Sequence, residues 1–192
     1  RGGSARVYLA EKKQASGSYR TVALKVATAD DRGRNAALLW NEEEILRPLQ
    51  HPNIVRFYDV GESNGLFYGV LEAVDGWTLT DLLKRVDKIP LSVCLDFGLQ
   101  ICSALSYLHG DGASKDVIHS DLKPSNILID RFGRVTLIDF GIACPSGQKK
   151  NGCTHSGTAA YMAPEQILQD TMDGRTDLFA LGVVLYEMAT GT

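Results

Sequence analysis

The sequence predicts an α+β fold in two lobes, a small antiparallel sheet carrying one helix and then a mainly helical lobe. Three observations carry this. Up to Val74 most apolar residues fall in short, strand-length runs separated by polar, glycine-containing turns. One stretch, Asn35 to Gln50, instead repeats its apolar residues at helical spacing, and after Asp75-Gly76 the helical period dominates.

Val7-Tyr8-Leu9 and Val22-Ala23-Leu24-Lys25-Val26 read as two strands joined by a turn at Gln14 to Tyr19. Leu38, Leu39, Ile45, Leu46 and Leu49 mark a helix that ends before His51-Pro52, with Glu43 and Glu44 on its solvated face. Ile54 to Val60 and Leu66 to Val74, turning at Gly61 to Gly65, complete the first lobe, residues 1–74. The second lobe, residues 75–192, is expected to hold helices at Leu79 to Arg85, Ser92 to His109 and Asp177 to Thr190, with strands at Ile127 to Ile129 and Val135 to Ile138. Cys144 to Ser156 is the longest candidate for a mobile loop.

A chain of 192 residues suffices for one sizeable domain or two small lobes. Lys and Arg total 20 against 23 Asp and Glu, a formal charge of -3, which offers no footprint for a nucleic-acid backbone or an anionic membrane. The wholly apolar runs, such as Val183-Val184-Leu185, fall far short of the roughly 18 residues needed to span a bilayer. Neither nucleic acid nor membrane is expected to contact this segment. The first residue is Arg, so the start is expected to be a cut through a longer chain. Cys94 and Cys102 are expected in the core; Cys144 and Cys153, with His155 nearby, are candidates for a disulfide or a metal site, but their spacing matches no zinc pattern, and a reducing cytosol is the default.

Asp121 and Asp139 each follow an apolar run, in His119-Ser120-Asp121-Leu122-Lys123-Pro124-Ser125-Asn126 and Asp139-Phe140-Gly141, with hairpin strands between them to bring both near one point. Phosphoryl transfer needs a metal against the triphosphate, a group to orient the attacking hydroxyl, and positive charge near the moving phosphoryl. Asp139 and Asn126 are hard oxygen ligands suited to Mg²⁺, Asp121 suits the hydroxyl, and Lys123 the phosphoryl charge. This order and spacing resembles the catalytic loop and metal motif of eukaryotic-type (Hanks-type) Ser/Thr protein kinases, most closely bacterial members, from Arg1 to Thr192.

The resemblance implies a protein-kinase-like bilobal fold, Ser/Thr phosphorylation of protein substrates, and use of ATP with Mg²⁺, or Mn²⁺ as a substitute. It gives Lys25 the α- and β-phosphates and makes Glu42 its partner on the following helix. Gly2 and Gly3 resemble the glycine-rich roof over the nucleotide, with Ala5 at its third glycine position. Val7, Ala23 and Leu128 become walls of the adenine pocket, Leu71 the gatekeeper, and Glu72 and Val74 the backbone that reads the ring edge. Leu46, Phe57, His119 and Phe140 resemble a stacked spine, which makes His119 a packed residue rather than a base. Gly157 to Glu165 resembles the peptide-receiving segment, Thr158 with Lys123 favours Ser/Thr over Tyr, and Asp177 resembles the anchor of the catalytic-loop backbone or a helix N-cap.

Three departures accompany the resemblance. Ser120 stands where an arginine usually precedes the catalytic Asp, so phosphorylation at Thr154 or Ser156 is expected not to be required through that pairing. The stretch His109 to Asp116 is longer than the family's usual connection. The resemblance also stops after the helix containing Asp177, which predicts exposed apolar surface, a Glu165 without its arginine, and weak activity for these residues alone. A cytoplasmic kinase, free or as the cytoplasmic domain of a membrane-anchored one, is the resulting expectation. The alternative is a pseudokinase or signalling scaffold that binds nucleotide without efficient catalysis.

Overall fold

The computed structural model describes residues 5–28, 32–86, 88–110, 116–147 and 159–192. Strands β1 (Ala5–Lys13) and β2 (Tyr19–Ala27) pair antiparallel, Val7 opposite Lys25 and Leu9 opposite Ala23. Helix α1 (Arg32–Leu46) follows, then β3 (Phe57–Ser63) and β4 (Leu66–Glu72), giving an antiparallel sheet of order β1-β2-β4-β3. The β3–β4 turn is tighter than Gly61 to Gly65. Asn64 and Gly65 have φ of 52° and 72°, left-handed values that Asn and Gly tolerate and that match the strand twist. Ile54 does not open β3; Val55 N–H donates to Leu137 O and Leu137 N–H to Asn53 O, so residues 53–55 belong to the junction between the lobes.

The second lobe opens with β5 (Gly76–Thr78), a strand too short for the periodicity to reveal. In α2 (Leu79–Leu83) the Thr78 hydroxyl caps the Asp81 N–H. Helix α3 (Leu91–His109) starts after Pro90 and ends at Gly110, with φ of 68°. Then come β6 (Val117–Ile118), β7 (Ile127–Asp130), β8 (Val135–Leu137), β9 (Cys144–Pro145), α4 (Pro164–Ile167) and α5 (Gly174–Thr190). Strands β5, β7 and β8 form one antiparallel sheet, β6 and β9 another.

One core joins both lobes, with Leu46, Phe57 and Leu71 from the first and Ile101, Leu105, Leu137, Phe140 and Val184 from the second. By length and composition α3 could cross a membrane, with 19 residues and a mean hydropathy of 1.5. Its Phe97, Ile101, Leu105 and Leu108 are instead buried in this core.

Two expectations are corrected. Cys94 is buried but Cys102 is exposed, because eight residues along a helix turn a side chain roughly 80° from its starting direction. Glu43 is not solvated; its side chain is 13% exposed and pairs with Arg47, whereas Glu44 is exposed. Apolar residues are exposed on α3 at Leu91, Leu95 and Leu99, and on α5 at Leu178, Phe179 and Tyr186.

Candidate active site

The register of the first sheet places Val7, Ala23, Lys25 and Leu71 on one face, since directly opposed residues share a face and alternate residues return to it. From that face Lys25 Nζ reaches two carboxylates, Glu42 Oε2 at 2.6 Å and Asp139 Oδ1 at 2.8 Å. Glu42, 1% exposed, gives its other oxygen to the Phe140 N–H at 3.3 Å. One lysine on β2 thus ties α1 to the segment after β8.

Burial opposes the Lys25 ammonium, but Glu42 and Asp139 outweigh it and hold the Lys25 pKa above its ordinary value. Burial also pushes Asp139 upward, and Lys25, with smaller help from His119 and Lys123, overcomes that and keeps the carboxyl below its usual value. For Glu42 burial wins and Lys25 only partly offsets it, so its pKa is raised.

The hairpin β7–β8 brings the other polar groups to its open end. Asn126 directly precedes β7, and its carbonyl accepts the Ile138 N–H next to Asp139. Asn126 Nδ2 donates to the backbone oxygen of Asp121 at 2.8 Å and to its Oδ2 at 3.0 Å, while Lys123 Nζ donates to that Oδ2 at 2.7 Å. Asp121, Lys123 and Asn126 are one hydrogen-bonded cluster.

His119 is fully buried and packs on Phe140 with ring centroids 4.5 Å apart. Its Nε2 lies 3.1 Å from Ile138 O, and its Nδ1 accepts the Asp121 N–H at 3.3 Å. Both ring nitrogens are committed to backbone, which leaves neither for proton transfer. Leu46, Phe57 and Phe140 are buried in the same core.

Asp177 lies in the first turn of α5, but Asp173 is that helix's N-cap, accepting the Arg175 N–H, so the capping role goes to Asp173. The Asp177 carboxylate, 1% exposed, accepts the N–H groups of His119 and Ser120 and a bond from His109 Nε2. Ser120 has φ of 66°, and its carbonyl accepts Gln166 Nε2 from α4 at 2.9 Å. Glu165 is not left alone, since Thr176 Oγ1 donates to it at 2.7 Å.

Val7 is 65% exposed on the open face of β1, and Leu128 lies half-buried on β7 in the other lobe. Leu71 is buried, Val74 is half-buried, and Glu72 pairs with Arg134 at 3.1 Å. Gly2, Gly3, Cys153, Thr154, His155, Ser156 and Thr158 lie outside the described residues, as does most of the connection after His109. Sequence reasoning missed Asn41, His109 and Gln166, whose bonds to Ala143, Asp177 and Ser120 span 46 to 102 positions. Among the described residues no group of three His, Cys, Asp or Glu side chains gathers around one point. Asp139 and Asn126 carry oxygen donors of the kind a hard cation takes.

A protein kinase domain family model matches residues 1–192. The chain is 40% identical over 163 residues to "Probable serine/threonine-protein kinase CPE1738" of Clostridium perfringens, covering 79% of this chain and 23% of that protein. It is 36% identical over 194 residues to serine/threonine-protein kinase PrkC of Bacillus subtilis, covering 99% and 29%. Against serine/threonine-protein kinase PknB of Mycobacterium tuberculosis the identity is 37% over 200 residues, covering 99% and 31%. The chain therefore spans less than a third of the length of these relatives.

Proposed function

The chain belongs to the protein kinase domain family, and on that premise we propose that the protein carrying it transfers the γ-phosphate of ATP to Ser or Thr hydroxyls of protein substrates. The observation that carries this reading is Lys25 bonded at once to Glu42 and Asp139, which brings a cation and a metal-type carboxylate to one place.

In this reading Lys25 holds the α- and β-phosphates and Glu42 fixes its direction. Asp139 and Asn126 hold Mg²⁺, or Mn²⁺ in its place. The bound cation neutralises triphosphate charge. Asp121 orients the substrate hydroxyl and accepts its proton, and Lys123, already on Asp121 Oδ2, faces the moving phosphoryl. Val7, Ala23, Leu71 and Leu128 enclose adenine, the backbone at Glu72 and Val74 reads its edge, and Gly2 and Gly3 close over the phosphates. Thr158 and Glu165 belong to the peptide-receiving segment, and Asp177 holds the catalytic loop through two backbone N–H groups. The buried Ser120 hydroxyl, 3.4 Å from Ile118 O, supplies no cation for a phosphate at Thr154 or Ser156, so activation does not run through that pairing. The reaction takes place in the cytoplasm, where ATP is available.

The test is transfer of labelled γ-phosphate to a basic Ser/Thr peptide with Mg²⁺, alongside an Asp139→Ala variant. Transfer by the protein and none by the variant is expected. Tight Mg-ATP binding without transfer would replace the enzyme with a nucleotide-binding scaffold.

A further inference from the structure

Helix α1 meets the segment after Asp139 through a second side chain besides Glu42. Asn41 Nδ2 lies 3.0 Å from Gly141 O, 3.0 Å from Ala143 O and 3.5 Å from Phe140 O. An amide nitrogen carries two hydrogens, so the two 3.0 Å contacts are the bonds and the third is a longer approach. The next residue, Glu42, offers the opposite polarity and accepts the Phe140 N–H. Two consecutive side chains thus match the backbone of residues 140–143, a carboxylate where it offers a donor and an amide donor where it offers acceptors.

Three further observations give this match weight. Asn is a poor former of helix interiors, because its side chain competes for nearby backbone groups, so its presence in α1 has a local cost that these bonds offset. Phe140, Gly141 and Ala143 are buried, where a carbonyl that loses its partner finds little water to replace it. The helix also lies directly on the segment, since a Cβ placed at Gly141 would sit 3.5 Å from Leu38 Cβ.

We propose that Asn41 is a positioning residue that fastens residues 140–143 to α1, so that Asp139 is presented to Lys25 and to the metal only when α1 is docked. This rests on the kinase reading for the role of Asp139, but the fastening itself does not. Neutral Asn is required in this arrangement, because an Asp would turn a third acceptor on two carbonyls and Ala would leave both unpaired.

The experiment is amide hydrogen exchange on the nucleotide-free protein, comparing wild type with Asn41→Ala and Asn41→Asp. Exchange at Phe140 and Ala143, whose N–H groups bond to Glu42 Oε1 and Phe140 O, is expected to rise about tenfold or more in both variants, while Ile101 to Leu108 of α3 stays unchanged. Exchange within about twofold of wild type at Phe140 and Ala143 would overturn the proposal, and so would a rise shared equally by α3, which marks general loss of stability. Phosphotransfer at saturating Mg-ATP is measured in parallel, with kcat expected to fall about tenfold in Asn41→Ala. Faster exchange in the variants of a wild-type protein that transfers no phosphate would keep the fastening and remove the kinase reading. Unchanged exchange in an active kinase would do the reverse.

Discussion

The Asp177 carboxylate holds Ser120 by its backbone N–H at 3.0 Å, and its second oxygen takes the N–H of His119 at 2.9 Å. These two donors open the loop that carries Asp121, and with Asp177 1% exposed they have no water to turn to.

Asp177→Ala is expected to cost about 2–5 kcal/mol of stability, since it orphans buried donors rather than removing a surface contact. Urea unfolding measures this, and a loss below about 0.5 kcal/mol would show that the loop does not depend on the anchor.

Glu42→Ala removes one of two carboxylates from a cation whose side chain is only 13% exposed. Breaking a buried pair from one side typically costs about 3–5 kcal/mol, and Asp139 retains part of the interaction, so about 2–4 kcal/mol is expected here. On the proposed kinase reading the KM for Mg-ATP is expected to rise as well, because Lys25 then has Asp139 alone as its carboxylate partner. Unchanged stability and unchanged KM would contradict the role given to the pair.

Asp130 closes the β7–β8 turn. Burial pushes its carboxyl up, but the backbone N–H groups of Arg134 and Phe132 and the Arg134 side chain prevail and hold the pKa below its ordinary value. A depressed folded pKa contributes stability that is fully present above the unfolded value, about 3.9, and is lost as pH falls through the folded value. The stability advantage of wild type over Asp130→Asn should therefore be flat from pH 5 to 7 and shrink only below about pH 4. An advantage already falling between pH 7 and 5 would assign it to another group.

The exposed Cys102 thiol should alkylate in the native protein, whereas buried Cys94, whose thiol is pushed up by burial, should react only on unfolding. Mass spectrometry of peptides after brief iodoacetamide treatment separates the two, and equal labelling would contradict the orientation of α3.

Much of this molecule was legible because its signals are local. Val22 to Val26, Ser92 to His109 and the two motifs around Asp121 and Asp139 carry their patterns in contiguous sequence. Strands β6 and β9, two residues each, and α4, four residues, are too short to show a period. The polar partners were legible only where a family resemblance supplied them. That was true of Lys25 and Glu42 but not of His109 on Asp177 or Asn41 on Gly141, which depend on elements meeting across the fold. Cys102 misled because its apolar neighbours suggested burial all round, while α3 turns that side outward.

Ser120 is gripped from both ends, its N–H by Asp177 of α5 and its carbonyl by Gln166 of α4. The residue before Asp121 therefore works as a short beam resting on two abutments. A displacement of α4 against α5 would therefore load Ser120 from both sides, and the strain would pass along the chain to Asp121, its next residue.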